Sequence, residues 1–255
     1  MLELFGGMIN GDDPRHARLR RIVPAAFNPR VIRSVEGTIA AVAAAVADRL
    51  TTAGECDFVT EVPARLPLQI MYDMMGVATV DHQRVFACSN VILSADDPEH
   101  VAEGSDVVGA FLQTGAELSE LMQDPAPQRN ARPTDDVTSA LLNANVTGES
   151  LSHVELASFF ILLVVAGNET TRNTISHGLW ALSEHPDPHV GFGAPGPHSF
   201  LGAHLARREI TVMFRERHRR VPQLGATGEP GRLRSSFVNR IKHLPCAVDA
   251  LEPVP

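Results

Sequence analysis

Residues 191–208 read GFGAPGPHSFLGAHLARR. Four glycines (Gly191, Gly193, Gly196, Gly202) and two prolines (Pro195, Pro197) exclude regular structure from most of the stretch. Leu201, Leu205, Ile210 and Met213 then recur at helical spacing, so a tight loop feeds straight into a helix reaching about Arg220. Such a segment delivers loop residues to one fixed point at a helix start.

Upstream of it, Ser152 and Glu155 form a capping box before an apolar run. A long helix is predicted from there to about His185, on the order of 50 Å at about 1.5 Å per residue. Its middle, Ala166-Gly167-Asn168-Glu169-Thr170-Thr171, consists of weak helix formers. Glycine there costs about 1 kcal/mol against alanine, so a close approach or a loosened turn has to require it. One account is a helix crossing at Gly167, with a threonine bonding back to its own helix.

Nearer the N-terminus, Asp12, Asp13 and Pro14 open a helix expected to run to Pro29, with His16 and Arg20 sharing a face. Taken alone, that pair is an exposed basic helix. Val35, Ile39, Val42, Val46 and Leu50 step by three and four until Gly54 stops the pattern. Residues 56–59 suggest a short strand, and residues 66–75 a helix entered at Pro67, whose Met71, Met74 and Met75 serve packing. Helical patterns cover residues 83–93 and 101–122, a polar loop follows, and Asp135 is expected to cap a short helix to Leu142. Turn residues around short strands fill residues 225–249.

Composition narrows the function. A formal charge of -8 and a pI near 5.7 argue against a nucleic-acid partner, which needs a basic surface. Cys56, Cys88 and Cys246 are odd in number and widely spaced, so no disulfide framework or C-x-x-C site is expected and the setting is a reducing cytoplasm. The longest apolar run, residues 159–166, is far short of the ~20 residues of a membrane span. The start of the chain lacks a signal-peptide pattern.

The loop and helix at 191–208 resemble the haem-binding segment of the cytochrome P-450 family, F-G-x-G-x-H-x-C-x-G followed by L-G-x-x-L-A-R. Phe192, Gly193, the Ala194 to Pro197 turn, His198, Leu201, Gly202, Leu205, Ala206 and Arg207 fit it. D-P-R-H-A-R-L-R-R from Asp13 resembles the D-P-P-x-H-x-x-x-R-R of bacterial members, and A-G-N-E-T from Ala166 resembles the A-G-x-E/D-T of their oxygen-activating helix. S-S-F-V-N-R-I-K-H-L-P is similar to the closing hairpin of the family. The resemblance spans residues 9–187 and 190–249.

It implies a mainly α, cytochrome P-450-like helical fold with a small β element near the C-terminus. Residues 1–255 then form a single partial domain, with central helices over 11–187 and the haem loop, following helix and hairpin over 190–249. It further implies haem as cofactor, with His16, Arg20 and His198 on its propionates and Phe192, Gly193 and Gly202 shaping the loop. Ala166 and Gly167 leave room for dioxygen, and Glu169 and Thr170 relay protons. A member of the family takes electrons from a ferredoxin or ferredoxin reductase and inserts one oxygen atom into a small hydrophobic, lipid-like substrate. The arginines after the loop (Arg207, Arg208, Arg215, Arg217, Arg219, Arg220) suggest a face for that donor.

Two departures stand against activity. Phe200 occupies the place of the axial cysteine, so no residue of the loop is a metal ligand of the family type. The block that carries the E-x-x-R pair is missing between Asp187 and Val190, which is expected to leave apolar faces of the long and C-terminal helices exposed. The expectation is a monooxygenase by family with impaired chemistry, or a non-catalytic remnant that binds haem or a partner. Two other readings are weaker. Gly191, Gly193 and Gly196 spell G-x-G-x-x-G, but no strand precedes them and prolines remove amide donors. His185, His189, His198 and His204 have no carboxylate or thiolate at ligand spacing.

Overall fold

The computed structural model describes residues 11–26, 29–63, 65–94, 97–123, 134, 136–143, 145–146, 149–184, 202–235 and 238–250. In chain order these form α1 (Arg15–Ala26), α2 (Pro29–Ser34), α3 (Glu36–Ala53), β1 (Glu55–Asp57), α4 (Phe58–Glu61), α5 (Leu66–Met75), α6 (His82–Leu93), α7 (Val107–Gln123) and α8 (Val137–Leu142). The short strands β2 (Asn145–Val146) and β3 (Glu149–Ser150) precede α9 (His153–Glu184) and α10 (Ala203–Arg220). Four more short strands follow, β4 (Gly225–Ala226), β5 (Gly231–Arg232), β6 (Ile241–His243) and β7 (Pro245–Ala247). The fold is mainly α, as expected.

Contacts divide the chain into two compact units, Met1–Val35 with Met71–Ala166, and Glu36–Ile70 with Gly167–Pro255. In the first unit α6 packs on α7 and α8 packs on α1, around Leu19, Ile22, Val85, Leu118, Leu141, Phe160 and Val164. Met71, Met74 and Met75 are all buried, as packing residues should be. Asp13 Oδ1 accepts the Ala17 amide at 3.1 Å, which caps the start of α1. α7 starts at Val107 rather than at 101, because Gly104 turns the chain at φ 81° and Asp106 Oδ1 accepts the Gly109 amide at 2.9 Å. α8 is capped by Asp136, not Asp135: its Oδ1 accepts the Ser139 amide at 2.7 Å.

In the second unit α10 packs along α3, burying Ile39, Ala43, Val46 and Leu50 on one side and Leu205 and Met213 on the other. Gly54, at φ 66°, ends α3 where the sequence placed its stop. β1 is shorter than expected because Asp57 leaves the strand to cap α4, its Oδ1 accepting the Val59 amide at 3.0 Å. The small β element draws on both ends of the chain. β7 is the centre of a three-stranded antiparallel sheet between β1 and β4, with Cys56 opposite Cys246, while β5 pairs with β6.

The long helix is continuous from His153 to Glu184. Its capping box is closed in both directions, Ser152 N–H donating to Glu155 Oε2 at 2.9 Å and Glu155 N–H to Ser152 Oγ at 3.2 Å. It is long and apolar enough by composition to cross a membrane, yet 61% of that window is buried within the protein, as in a core helix. The expected exposure of its apolar face is not found. Among the described residues only its ends, Val154 and Leu182, expose large apolar side chains, and α10 exposes none.

Candidate functional site

In the first unit, His16 and Arg20 lie one turn apart on α1. His16 is buried, not exposed, with Nδ1 3.7 Å from Asp13 Oδ1, and Arg20 is half-buried, its pKa lowered by desolvation. The neighbouring Arg18 donates to Glu155 Oε1 at 2.6 Å, which fastens α1 to the capped start of α9. Burial alone would raise the Glu155 carboxyl, but the Ser152 amide and the Arg18 guanidinium outweigh it and the net shift is downward. Ala166, half-buried, is the last residue of α9 in this unit.

The second unit holds the remainder of the A-G-N-E-T segment. Gly167 and Thr170 are half-buried, and Asn168 and Glu169 are buried. The helix neither breaks nor opens there. Thr171 Oγ1 donates to the Gly167 carbonyl at 3.2 Å and Thr174 Oγ1 to that of Thr170 at 2.8 Å, so back-bonding threonines are part of this turn. A close helix approach is made about three turns after Gly167, at Gly178, where a Cβ would lie 3.0 Å from Phe214 Cζ of α10.

Glu169 faces a partner that sequence reasoning did not single out. Arg240, 1% exposed, stands just ahead of β6 and brings Nη1 to 3.6 Å from Glu169 Oε2. Among the described residues neither Glu169 oxygen accepts a hydrogen bond, and the same holds for Asn168 Oδ1. No local pattern in the sequence links Arg240 to Glu169, since the contact is made only by tertiary folding. Gly202 occupies the position before α10, accepting the Ala206 amide at 2.9 Å. Phe192, Gly193, His198 and Phe200 lie outside the described residues.

The donor set does not fit a thiolate-ligated haem. Phe200 offers no lone pair, and none of the three thiols belongs to the 191–208 segment. Burial pushes Cys88 up to about 11 and Cys246 up to about 12, and raises Cys56 as well, all against the thiolate form a metal needs. Cys56 and Cys246 face one another across β1 and β7, and Cys88 donates to Glu117. Among the described residues no three His, Cys, Asp or Glu side chains converge on a metal position.

The arginines of α10 are less available than their number suggests. Arg217 is buried and donates to the Leu224 carbonyl, Arg208 pairs with Glu36 at 3.3 Å, and Arg219 and Arg220 share Glu216. Arg220 also pairs with Asp48. Arg215 is exposed. On the buried side of the same helix, Glu209 is 2% exposed with Oε2 lacking a partner among the described residues, and burial lifts its carboxyl to about 8. Sequence reasoning passed over it, although a lone acid on the apolar side of a helix was visible at the spacing Leu205, Glu209, Met213.

No family model matches the chain. It is 36% identical over 326 aligned residues to a methyl-branched lipid omega-hydroxylase of Mycobacterium tuberculosis, covering 96% of this chain and 75% of that protein. A steroid C26-monooxygenase of Mycolicibacterium smegmatis is 30% identical over 92% of this chain and 71% of its own length. Among solved structures, a Mycobacterium marinum cytochrome P450 in complex with pseudoionone matches with a TM-score of 0.87 at 30% identity, over 96% of this chain and 78% of that one. Aligning 326 residues with a chain of 255 leaves at least 71 positions without a counterpart here.

Proposed function

The chain belongs to the cytochrome P-450 family of haem-dependent monooxygenases, and we propose that within it this member retains the fold but is impaired in oxygen activation. When bound, haem supplies that chemistry in the family from an iron held by a cysteine thiolate, whose electron donation favours O–O cleavage. The observation that carries the proposal is Phe200 at the cysteine position. A phenyl ring neither ligates iron nor donates charge to it. The positions without a counterpart in the alignment support the loss of the bracing block between Asp187 and Val190.

The remaining roles follow the motifs residue by residue. His16, Arg20 and His198 hold propionates, Phe192, Gly193 and Gly202 shape the loop, and Ala166 and Gly167 keep the helix small beside the cofactor. Glu169 and Thr170 stand at the positions of the family's proton-relaying acid and alcohol. A small lipid- or steroid-like substrate is supported by the relatives' names. A ferredoxin or ferredoxin reductase as donor and a cytoplasmic setting belong to the same proposal, as does a single partial domain. A second reading, favoured by the burial of the apolar side chains of α9 and α10 among the described residues, is a non-catalytic remnant that binds haem or a partner.

The test is the spectrum of the reduced carbonyl complex after reconstitution with haem, together with product analysis on a fatty acid and a sterol. The expected complex lacks the red-shifted band of thiolate ligation, and hydroxylated product forms only in traces. Haem uptake without turnover would select the remnant reading. A thiolate-type band, or robust hydroxylation by the unmodified chain, would show the impairment to be wrong.

A further inference from the structure

The buried contact between α9 and the segment entering β6 bears on the candidate proton relay, and it rests on the reading of A-G-N-E-T as the oxygen-activating turn. We infer that Arg240 is a positioning residue for Glu169, holding its carboxyl in a buried ion pair and so withdrawing that acid from proton exchange. The side chains are 1% and 5% exposed and the closest N···O distance is 3.6 Å. A carboxylate in such surroundings is tolerated only beside a cation, and a guanidinium is a cation at every accessible pH.

Arg240 is held in place from both sides. Its carbonyl accepts the Leu233 amide at 2.9 Å, and the adjoining Asn239 carbonyl accepts from His177 Nε2 at 3.1 Å, which ties this segment to α9 two turns beyond Glu169. A relay acid has to turn between a proton source and the reacting group. Here the turn would separate two charges inside the protein, the costly arrangement for any buried ion pair. The other ionisable side chains on this part of α9 are Arg172, one turn on, and His177, while among the described residues of the unit Glu209 on α10 is the other buried carboxyl. Arg172 adds positive charge and offers Glu169 no proton.

Infrared difference spectroscopy of the protein as purified, at neutral pH, reads the state of Glu169 without reference to turnover. Subtracting the Glu169→Gln spectrum from wild type should show carboxylate stretches lost and no carboxylic-acid C=O band, the Glu209 acid band cancelling between the two. In Arg240→Gln a carboxylic-acid band should appear that is absent from the Arg240→Gln/Glu169→Gln double variant, and Arg240→Lys should suppress it. Urea unfolding of the four-member cycle should give a coupling of roughly tenfold or more in the unfolding constant. Should Arg240→Gln not fold, Arg240→Lys and its double variant with Glu169→Gln supply the coupling, and its absence overturns the inference. A protonated Glu169 in wild type, or a folded cycle with no coupling, overturns the inference. Failure of the Phe200 proposal would register separately, in the carbonyl spectrum.

Discussion

Glu209→Gln isolates the energetic weight of a single buried acid. α10 turns Leu205, Ala206, Glu209 and Met213 inward together, and Glu209 is left with no partner for Oε2 among the described residues. Burial lifts its carboxyl from an ordinary value of 4.5 to about 8. A raised folded value means that the folded protein keeps a proton which the unfolded chain releases. The stability tied to that proton is complete below about 4.5 and is lost as pH rises toward and through about 8. Within the window each pH unit removes about 1.4 kcal/mol. Glutamine keeps the size and removes the titration. Urea unfolding of both proteins should therefore show the variant gaining on wild type by about 3 kcal/mol between roughly pH 5 and pH 7.5, with every other titrating group cancelling in the difference. Parallel stability profiles across that range would refute the argument, because they would mean that Glu209 is already ionised in the folded state.

Two further perturbations probe contacts inside each unit. Asp57 caps α4, accepts the Leu244 amide at 2.9 Å and meets His243 Nδ1 at 2.6 Å, so Asp57→Ala should cost about 2 kcal/mol or more in thermal unfolding, and Asp57→Asn distinctly less. The depressed carboxyl of Glu155 contributes stability that is present above its ordinary value of 4.5 and is lost as pH falls through the lower folded value. Acid titration of Glu155→Gln should lack that component, which circular dichroism at low pH would reveal.

The helices were legible because their signals are local. Ile39, Val46 and Leu50 mark one face of α3 and Gly54 its end, and Ser152 with Glu155 announces α9 three residues apart. The same locality explains the errors. Asp135 and Asp136 are adjacent acids with equal capping chemistry, and only the backbone direction at 136 selects one of them. Residues 101–106 carry a helix-like pattern, but Gly104 and Asp106 together close a turn. β1 could not be assigned to a sheet, since its partner β7 lies at the other end of the chain. The site was legible as motifs and not as contacts. Glu169 was readable from A-G-N-E-T, whereas its partner Arg240 comes from a hairpin whose sequence says nothing about α9.

Phe200 and Arg240 bear on separate requirements of the same chemistry. A thiolate at 200 would supply electron density to an iron, which is a different requirement from a free Glu169. Freeing Glu169 by changing Arg240 would, in turn, leave the loop without a donor atom. The loss of function proposed here is therefore not one lesion that a single substitution reverses. Restoring sulfur through Phe200→Cys addresses electron donation alone, and ligand atoms work only when their surroundings orient them. With the ion pair intact, the restored ligand should change the carbonyl spectrum more than it changes turnover. That ordering follows from the buried geometry of α9 and β6, because the pair Glu169 and Arg240 is held by the core that also keeps the unit folded.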